Sequence, residues 1–464
     1  MQQIESIFMA QQAHKYTLRK STARQRIGTL KALKSCIQNH EALIYDALHQ
    51  DLRKSTFEAA LTEVLFTYSE IDFAIKNLRK WMKPVRAGRS ISNILAKNRI
   101  YHEPKGVCLI IAPWNYPFQL IMSPLISAIA AGNCIILKPS ELSPAVSKAT
   151  AKLINTCFDE KEIACIEGDA PVAEALLKLP FDHIFFTGST AIGKVVMEAA
   201  AKNLSSVTLE LGGKSPVIID NSADIEIAAR KIAWGKLINA GQTCIAPDYI
   251  LLPKALEETF VNSYTAAVEK LFFRDNAPDP STYAKIINER HFNRLSGLID
   301  DAINRGAKLS MGGETDQSTL TISPAVLTKV PDNAAVMSEE IFGPILPVLT
   351  YIDLGDAINQ INQKDKPLAL YIFSSNDDNI QRVIKNTSAG GTCVNDVLIH
   401  ISNPKLPFGG TNTSGMGSCH GYYGFKAFSH ERAVVFQSGL NFTSLVYPPY
   451  ADKGWILKWL KKLM

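Results

Sequence analysis

The chain has 464 residues, enough for about two or three domains with large buried cores. Its residues are 46% hydrophobic, 8% aromatic and 20% charged, which excludes a largely disordered, collagen-like or disulfide-dense protein. Lys and Arg number 49 against 44 Asp and Glu, a net +5 spread over the whole length. No basic block stands outside the last residues, so nucleic acid is not an expected partner.

The first residues, MQQIESIFMA, carry Glu5 and lack the basic start and apolar core of a secretory signal. No apolar run reaches the ~18 residues of a membrane span. The eight cysteines are dispersed, with Cys108 and Cys134 inside apolar runs. None forms a CxxC pair or a zinc-spaced cluster, and the nine histidines show no HExxH. The expectation is a reducing, cytoplasmic setting, no metal, and at most one or two chemically special thiols.

Residues 5–81 read as helices, with apolar positions recurring every three or four residues until Pro84 and Gly88 break the pattern. From residue 106 short apolar runs alternate with helical stretches: VCLIIA (107–112), CIIL (134–137), ACI (164–166), HIFFT (183–187) and VTLEL (207–211). Continuously apolar strands alternating with helices predict a parallel sheet covered on both faces. A second α/β series follows, with PVIID (216–220), a helix over 224–239 stopped by Gly241, and strands YILL (249–252), ILPVLTYI (345–352), LALYIF (368–373) and TCVN (392–395). The boundary between the two falls near 208–214. RIYHEP (99–104) and AVVFQS (433–438) read as strands of a third, smaller unit.

Several strand ends carry candidate chemistry. HIFFTGSTAIGK (183–194) runs from a strand through Gly188, Ser189 and Gly193 into a helix, and free N–H groups at a helix start suit phosphate. The spacing is GxxxxG rather than GxGxxG, and a plain strand-to-helix turn would look the same. Lys138 and Glu141 follow a strand end and suit ribose hydroxyls, or a solvated turn. In APWNYP (112–117) two prolines stiffen a loop that offers the Asn115 amide between Trp114 and Tyr116. Cys244, in GQTC, lies in a small polar loop unlike the strand-embedded cysteines, a setting for either a nucleophile or an inert thiol. Glu210 ends an apolar strand as a paired carboxylate or a base. Glu340 and Phe342 lie in a loop that leads to a strand.

Taken together, PWNYP (113–117), LKPSE (137–141), FTGSTAIG (186–193), LELGGKSP (209–216), GQTC (241–244), EEIFGP (339–344) and PFGG with SGMG (407–410, 414–417) resemble the NAD(P)-dependent aldehyde dehydrogenase superfamily over about residues 100–430. SGMGSCHGYYGFKAFSH (414–430) and YPPY (447–450) are similar to class 3 members, the fatty and aromatic aldehyde dehydrogenases. Pro404 departs from a histidine that such relatives can carry just before LPFGG.

The resemblance implies an α/β protein with three parts. A Rossmann-like NAD(P)-binding domain comprises 1–82 and 105–208, and an α/β catalytic domain 209–396. A small β bridging or oligomerisation unit comprises 83–104 and 397–440, and 441–464 form a tail. It implies Cys244 as nucleophile, Asn115 as oxyanion donor and Glu210 as the base for thioester hydrolysis. It implies NAD or NADP held by Trp114, Lys138, Glu141, Gly188, Ser189, Gly193, Glu340 and Phe342, and a homodimer. The expected reaction oxidises a medium- or long-chain or aromatic aldehyde to its acid. A CoA-acylating or phosphorylating enzyme and a catalytically silent cofactor-binding scaffold are the alternatives. In DKGWILKWLKKLM, Trp455, Trp459, Leu460 and Leu463 share one helical face, and Lys458, Lys461 and Lys462 the other. That helix suits docking on its own subunit or a peripheral membrane contact.

Overall fold

A computed structural model describes residues 2–88, 95–439 and 443–463. The amino-terminal periodicity resolves into helices Gln2–Arg19, Ala23–Asn39, Glu41–Leu52 and Leu65–Trp81. Thr22 and Gln25 close a capping box at the second, satisfying donors that a helix start otherwise leaves open. Before the fourth helix, Ala60–Val64 form a π-helical turn. Such turns recur at functional sites, and Glu63 lies wholly buried on this one.

The first strand series builds a six-stranded sheet in the order Gly415–Met416, Ser206–Glu210, His183–Thr187, Val107–Ile111, Cys134–Lys138 and Ile163–Cys165. Its last five strands are parallel, and the three central ones are buried throughout. The second series builds a seven-stranded sheet in the order Lys308–Met311, Ala325–Thr328, Ile345–Tyr351, Tyr249–Pro253, Pro216–Ile219, Ala369–Phe373 and Gly391–Val394. The first two of these strands were not read from sequence. Lys308–Met311 is a half-exposed edge strand without an apolar run, and Ala325–Thr328 is only 4 residues long. The orphan segments do pair with each other, as Lys97–Pro104 against Ser429–Phe436 in a three-stranded sheet with Val85–Arg86.

Three expectations change. The helix that begins at Ile225 stops at Leu237, before Gly241. The turn to Cys244 is made by three consecutive left-handed residues, Asn239, Ala240 and Gly241. The stretch 397–440 is divided: Gly415–Met416 joins the six-stranded sheet, and helix Gly421–Ala427 packs on helix Gln119–Ala131, where a Cβ at Gly424 would lie 2.3 Å from Ser127 Oγ. The cysteines are not all separate thiols. Cys36 and Cys157, 121 residues apart, are joined between helices Ala23–Asn39 and Pro144–Cys157, and spacing does not disclose such a pairing. The part of the bridging segment at 89–94, and residues 1, 440–442 and 464, lie outside the described residues.

Candidate active site

Strand Val107–Ile111 lies where the six-stranded sheet reverses its building direction. Cys134–Lys138 and Ile163–Cys165 follow on one side, His183–Thr187 and Ser206–Glu210 on the other. Ligands sit at the carboxyl ends of strands at such a point. The loops leaving there carry Trp114 and Asn115 from one strand, and Gly188 and Ser189 from the next. Facing them, Cys244 precedes strand Tyr249–Pro253 of the second sheet. Both sets line one cavity of about 500 Å³, together with Glu210, Glu340 and Phe342.

The corner that holds Asn115 and Cys244 is saturated with hydrogen bonds. Asn115, 2% exposed, donates its side-chain amide to the Gln242 carbonyl at 3.0 Å. The Asn115 carbonyl accepts from Lys54 Nζ at 3.0 Å and from Asn239 Nδ2 at 2.8 Å. Lys54 is paired with Glu63 at 2.6 Å, both side chains fully buried. The second oxygen of Glu63 accepts from the Phe118 and Gln119 N–H groups at 2.9 Å each, a carboxylate seated where a helix start offers free donors. Gln242 donates to the Asn239 and Lys285 carbonyls and accepts from the Ile287 N–H. Tyr116 hydroxyl meets Thr243 hydroxyl at 2.7 Å, tying the two loops together. Glu58 fixes the Asn239 N–H at 2.9 Å, which holds the left-handed turn just before the thiol.

The reactive candidates line a largely apolar cavity beside two carboxyls. Burial pushes the Cys244 thiol up to about 12, and the nearby carboxyls of Glu340 and Glu210 add to it. Glu210 is 5% exposed, and its carboxyl has no oxygen or nitrogen partner, only the Cys419 thiol. Burial drives its carboxyl well above the usual range, opposed by the Cys419 thiol beside it. Burial also raises Glu340, to about 8, with Asp248 adding and the Gly213 N–H opposing. A Cβ at Gly212 would lie 2.0 Å from Glu340 Oε2, so this carboxyl needs glycine in order to reach the site. Asp248 pairs with Lys214 and accepts from the Ile341 N–H at 2.9 Å, which fixes the loop that carries Glu340.

The cofactor candidates divide. Trp114 and Phe342 meet edge to face at 5.3 Å on the cavity wall. Gly188 and Ser189 line the cavity at the start of helix Thr190–Ala201, and Ser189 caps it. Gly193, by contrast, is buried in that helix, and a Cβ there would lie 2.6 Å from Leu211. It permits close packing of helix on sheet and does not line the cavity. Lys138 and Glu141 also lie outside the cavity, paired with each other at 2.7 Å with Glu141 44% exposed. The helix start at Ser189, Gly188, where a Cβ would lie 2.5 Å from the Phe186 ring, and the Glu340 carboxyl are the groups on this wall that could hold a dinucleotide.

Beyond Cys244 the cavity turns apolar, walled by Leu61, Phe66, Leu120, Trp234, Ile399 and Phe408. His420 closes this end. Its Nδ1 lies 3.0 Å from Glu70 Oε2, with both residues buried. Among the described residues no cluster of His, Cys, Asp and Glu could hold a metal ion.

Sequence reasoning missed Lys54, Glu58, Glu63, Asn239, Gln242, His420 and Glu70. It also missed His291 and Arg294, which line the cavity beside Trp114 and the Glu340 loop. Glu58 and Glu63 look like charges on the solvated face of an amphipathic helix. Only the burial of Glu63 and the bond from the Asn239 N–H to Glu58 tell them apart, and both are tertiary properties.

The chain matches the aldehyde dehydrogenase family over residues 2–434. It is 45% identical over 424 residues to the 4,4'-diaponeurosporen-aldehyde dehydrogenase of Staphylococcus aureus, covering 91% of this chain and 92% of that protein. It is 46% identical over 440 residues to aldehyde dehydrogenase family 3 member A2 of Mus musculus, covering 94% and 89%. Among solved structures, the substrate-bound state of Staphylococcus aureus AldH superposes with a TM-score of 0.94 at 43% identity, covering 99% of each chain.

Proposed function

The chain belongs to the aldehyde dehydrogenase family and is an NAD(P)-dependent oxidoreductase acting on aldehydes; from that premise we propose that Cys244, Asn115 and Glu210 carry the reaction. The observation that supports this most is their convergence on one cavity from two loops and a strand end. Cys244 adds to the aldehyde carbon as a thiolate. Burial raises its thiol, so the proton passes to solvent in the cavity as the carbon–sulfur bond forms. The Asn115 amide and the backbone N–H of Cys244 face the developing oxyanion. Gly188, Ser189, Glu340 and Phe342 would hold NAD(P)+, with Trp114 against Phe342, and when bound it would supply the hydride acceptor. Glu210 then takes a proton from water, which cleaves the thioester. A buried carboxylate is a stronger base than one in water. It also favours water as acceptor over CoA or phosphate.

We assign the six-stranded sheet to the cofactor and the seven-stranded sheet to the nucleophile. The three-stranded sheet is the bridge of a homodimer. Val435 and Phe436 are exposed on its edge strand, 56% and 48%, and such edges invite strand pairing. Lys138 neutralises Glu141, so the ribose end accommodates NAD and NADP alike.

The apolar walls favour medium- and long-chain or aromatic aldehydes over short ones, since each buried methylene contributes about 0.8 kcal/mol. In the terminal helix Gly454–Leu463, Ile456 is buried against the protein. Trp455 and Trp459 are 61% and 53% exposed beside Lys458, Lys461 and Lys462; Leu460 and Leu463 lie outside the described side chains. This composition suits a peripheral contact with an anionic lipid surface. Among the described residues no helix is long and apolar enough to cross a membrane.

Initial rates with an aldehyde series from acetaldehyde to hexadecanal, and benzaldehyde, test the substrate reading: kcat/KM should rise with chain length, and a flat series refutes it. Cys244→Ser should abolish NAD(P)H formation while cofactor still binds, seen by fluorescence titration; retained turnover refutes the assigned mechanism. Deleting 452–464 should lower co-sedimentation with anionic liposomes.

A further inference from the structure

Glu210 sets a problem for its own role. Its carboxyl has only the Cys419 thiol beside it, and burial favours its neutral form. A neutral carboxyl cannot act as a base, so each turnover needs a second acceptor that draws its proton away. The residue whose thiol sits against Glu210 is Cys419, and the next residue in the chain is His420. His420 lines the cavity that holds Cys244 and Glu210.

The histidine is built into place. Its backbone, at φ 70 and ψ 141, is in a conformation that L side chains rarely adopt, and such outliers concentrate at functional sites. Gly421, itself left-handed at φ 51, leaves no room for a Cβ, which would lie 2.1 Å from the Pro404 carbonyl. Phe66 and Phe408 pack edge-on against the imidazole with centroids at 5.6 and 5.4 Å. Glu70, from helix Leu65–Trp81, is 6% exposed and meets Nδ1 at 3.0 Å. A carboxylate only accepts, so Nδ1 carries the proton and Nε2 is left as the acceptor nitrogen. A carboxylate behind a histidine also stabilises the imidazolium that forms. The Cys419 thiol beside the pair interacts electrostatically with Glu70, Glu210 and Cys244.

We propose that the His420–Glu70 pair is a second proton acceptor of the active site, drawing from Glu210, through solvent in the cavity, the proton removed from the hydrolytic water. In that step the water oxygen bonds to the acyl carbon and the carbon–sulfur bond breaks, with its electron pair going to Cys244. The proton passes to Glu210 and then to Nε2 of His420. The imidazolium, held against the Glu70 carboxylate, returns it to bulk solvent. The inference rests on the assignment of Cys244 and Glu210 above.

Rapid-mixing measurements of NADH formation on His420→Asn and Glu70→Gln test it. Asparagine tolerates positive φ, and glutamine keeps the shape of the pair. In both variants a first NADH per Cys244 should form in a burst, because aldehyde oxidation precedes hydrolysis. The steady rate that follows should fall about 10²-fold, the lower end of what a positioned acid–base group contributes. Added imidazole should restore part of the rate in His420→Asn. A steady rate within about twofold of the parent enzyme overturns the proposal. So does a loss in His420→Asn with no imidazole rescue, the signature of a structural role alone. Absence of NADH from the parent enzyme refutes instead the reaction on which the proposal rests.

Discussion

The two sides of the reacting thiol are built in opposite ways. On one side Asn115, Lys54, Glu63, Asn239 and Gln242 bond each other so fully that the Asn115 carbonyl alone accepts from two donors. On the other side the Glu210 carboxyl has no oxygen or nitrogen partner and only the Cys419 thiol beside it. A donor that must meet an oxyanion gains from being fixed beforehand, since it then costs no reorganisation in the transition state. A base gains from being poorly solvated and free to turn, since partners would weaken its pull on a proton. Rigidity and isolation therefore sit about the same sulfur, each matched to a different task.

That contrast can be broken from the saturated side first. Lys54→Met leaves Glu63 as an unpaired carboxylate in a site where both side chains are fully buried. Losing one partner of such a pair costs about 3–5 kcal/mol, and chemical denaturation should show a loss of that size together with a lower kcat. Unchanged stability would mean that the pair does not hold the loop. Asn115→Ala is more selective. It should lower kcat by about 10²–10³, the effect of losing one oxyanion donor. Stability should change little, because Asn239 still donates to the Gln242 carbonyl at 3.1 Å; equal losses in kcat and stability would make Asn115 a structural residue only.

The smallest effect is on the acidic side. Glu340 is held up at about 8, so it is neutral at about pH 7 in the free pocket. Ribose hydroxyls that donate to it favour the carboxylate and lower that value. Cofactor binding should therefore release up to one proton at about pH 7 and none at about pH 9. Titration calorimetry in two buffers of different ionisation heat measures this, and Glu340→Gln should remove it. Proton release that persists in the variant would assign it to Cys244 or Glu210.

Much of this was legible in the residues. HIFFT (183–187) is strand His183–Thr187 to the residue, because an apolar run between helical stretches has few other places to go. The resemblance named Cys244, Glu210 and Asn115, and they share a cavity. Gly193 shows where a motif misleads: it looks like part of a phosphate turn, yet it is a packing glycine against Leu211. Lys54 and Glu63 show the reverse. They are ordinary helix-surface residues by pattern, and lie fully buried at the site.

The sequence by itself determined the alternation of strands and helices, the order of the parallel strands' segments and the residues suited to thioester chemistry. These follow from local periodicity, turn chemistry and a shared set of motifs. Only the tertiary structure decided which charges are buried, which carboxyl is left with a thiol alone beside it, and that His420 and Glu70, 350 residues apart, pair at the wall of the cavity. Burial and pairing over such separations depend on how sheets and helices pack, and no short window of residues contains that information.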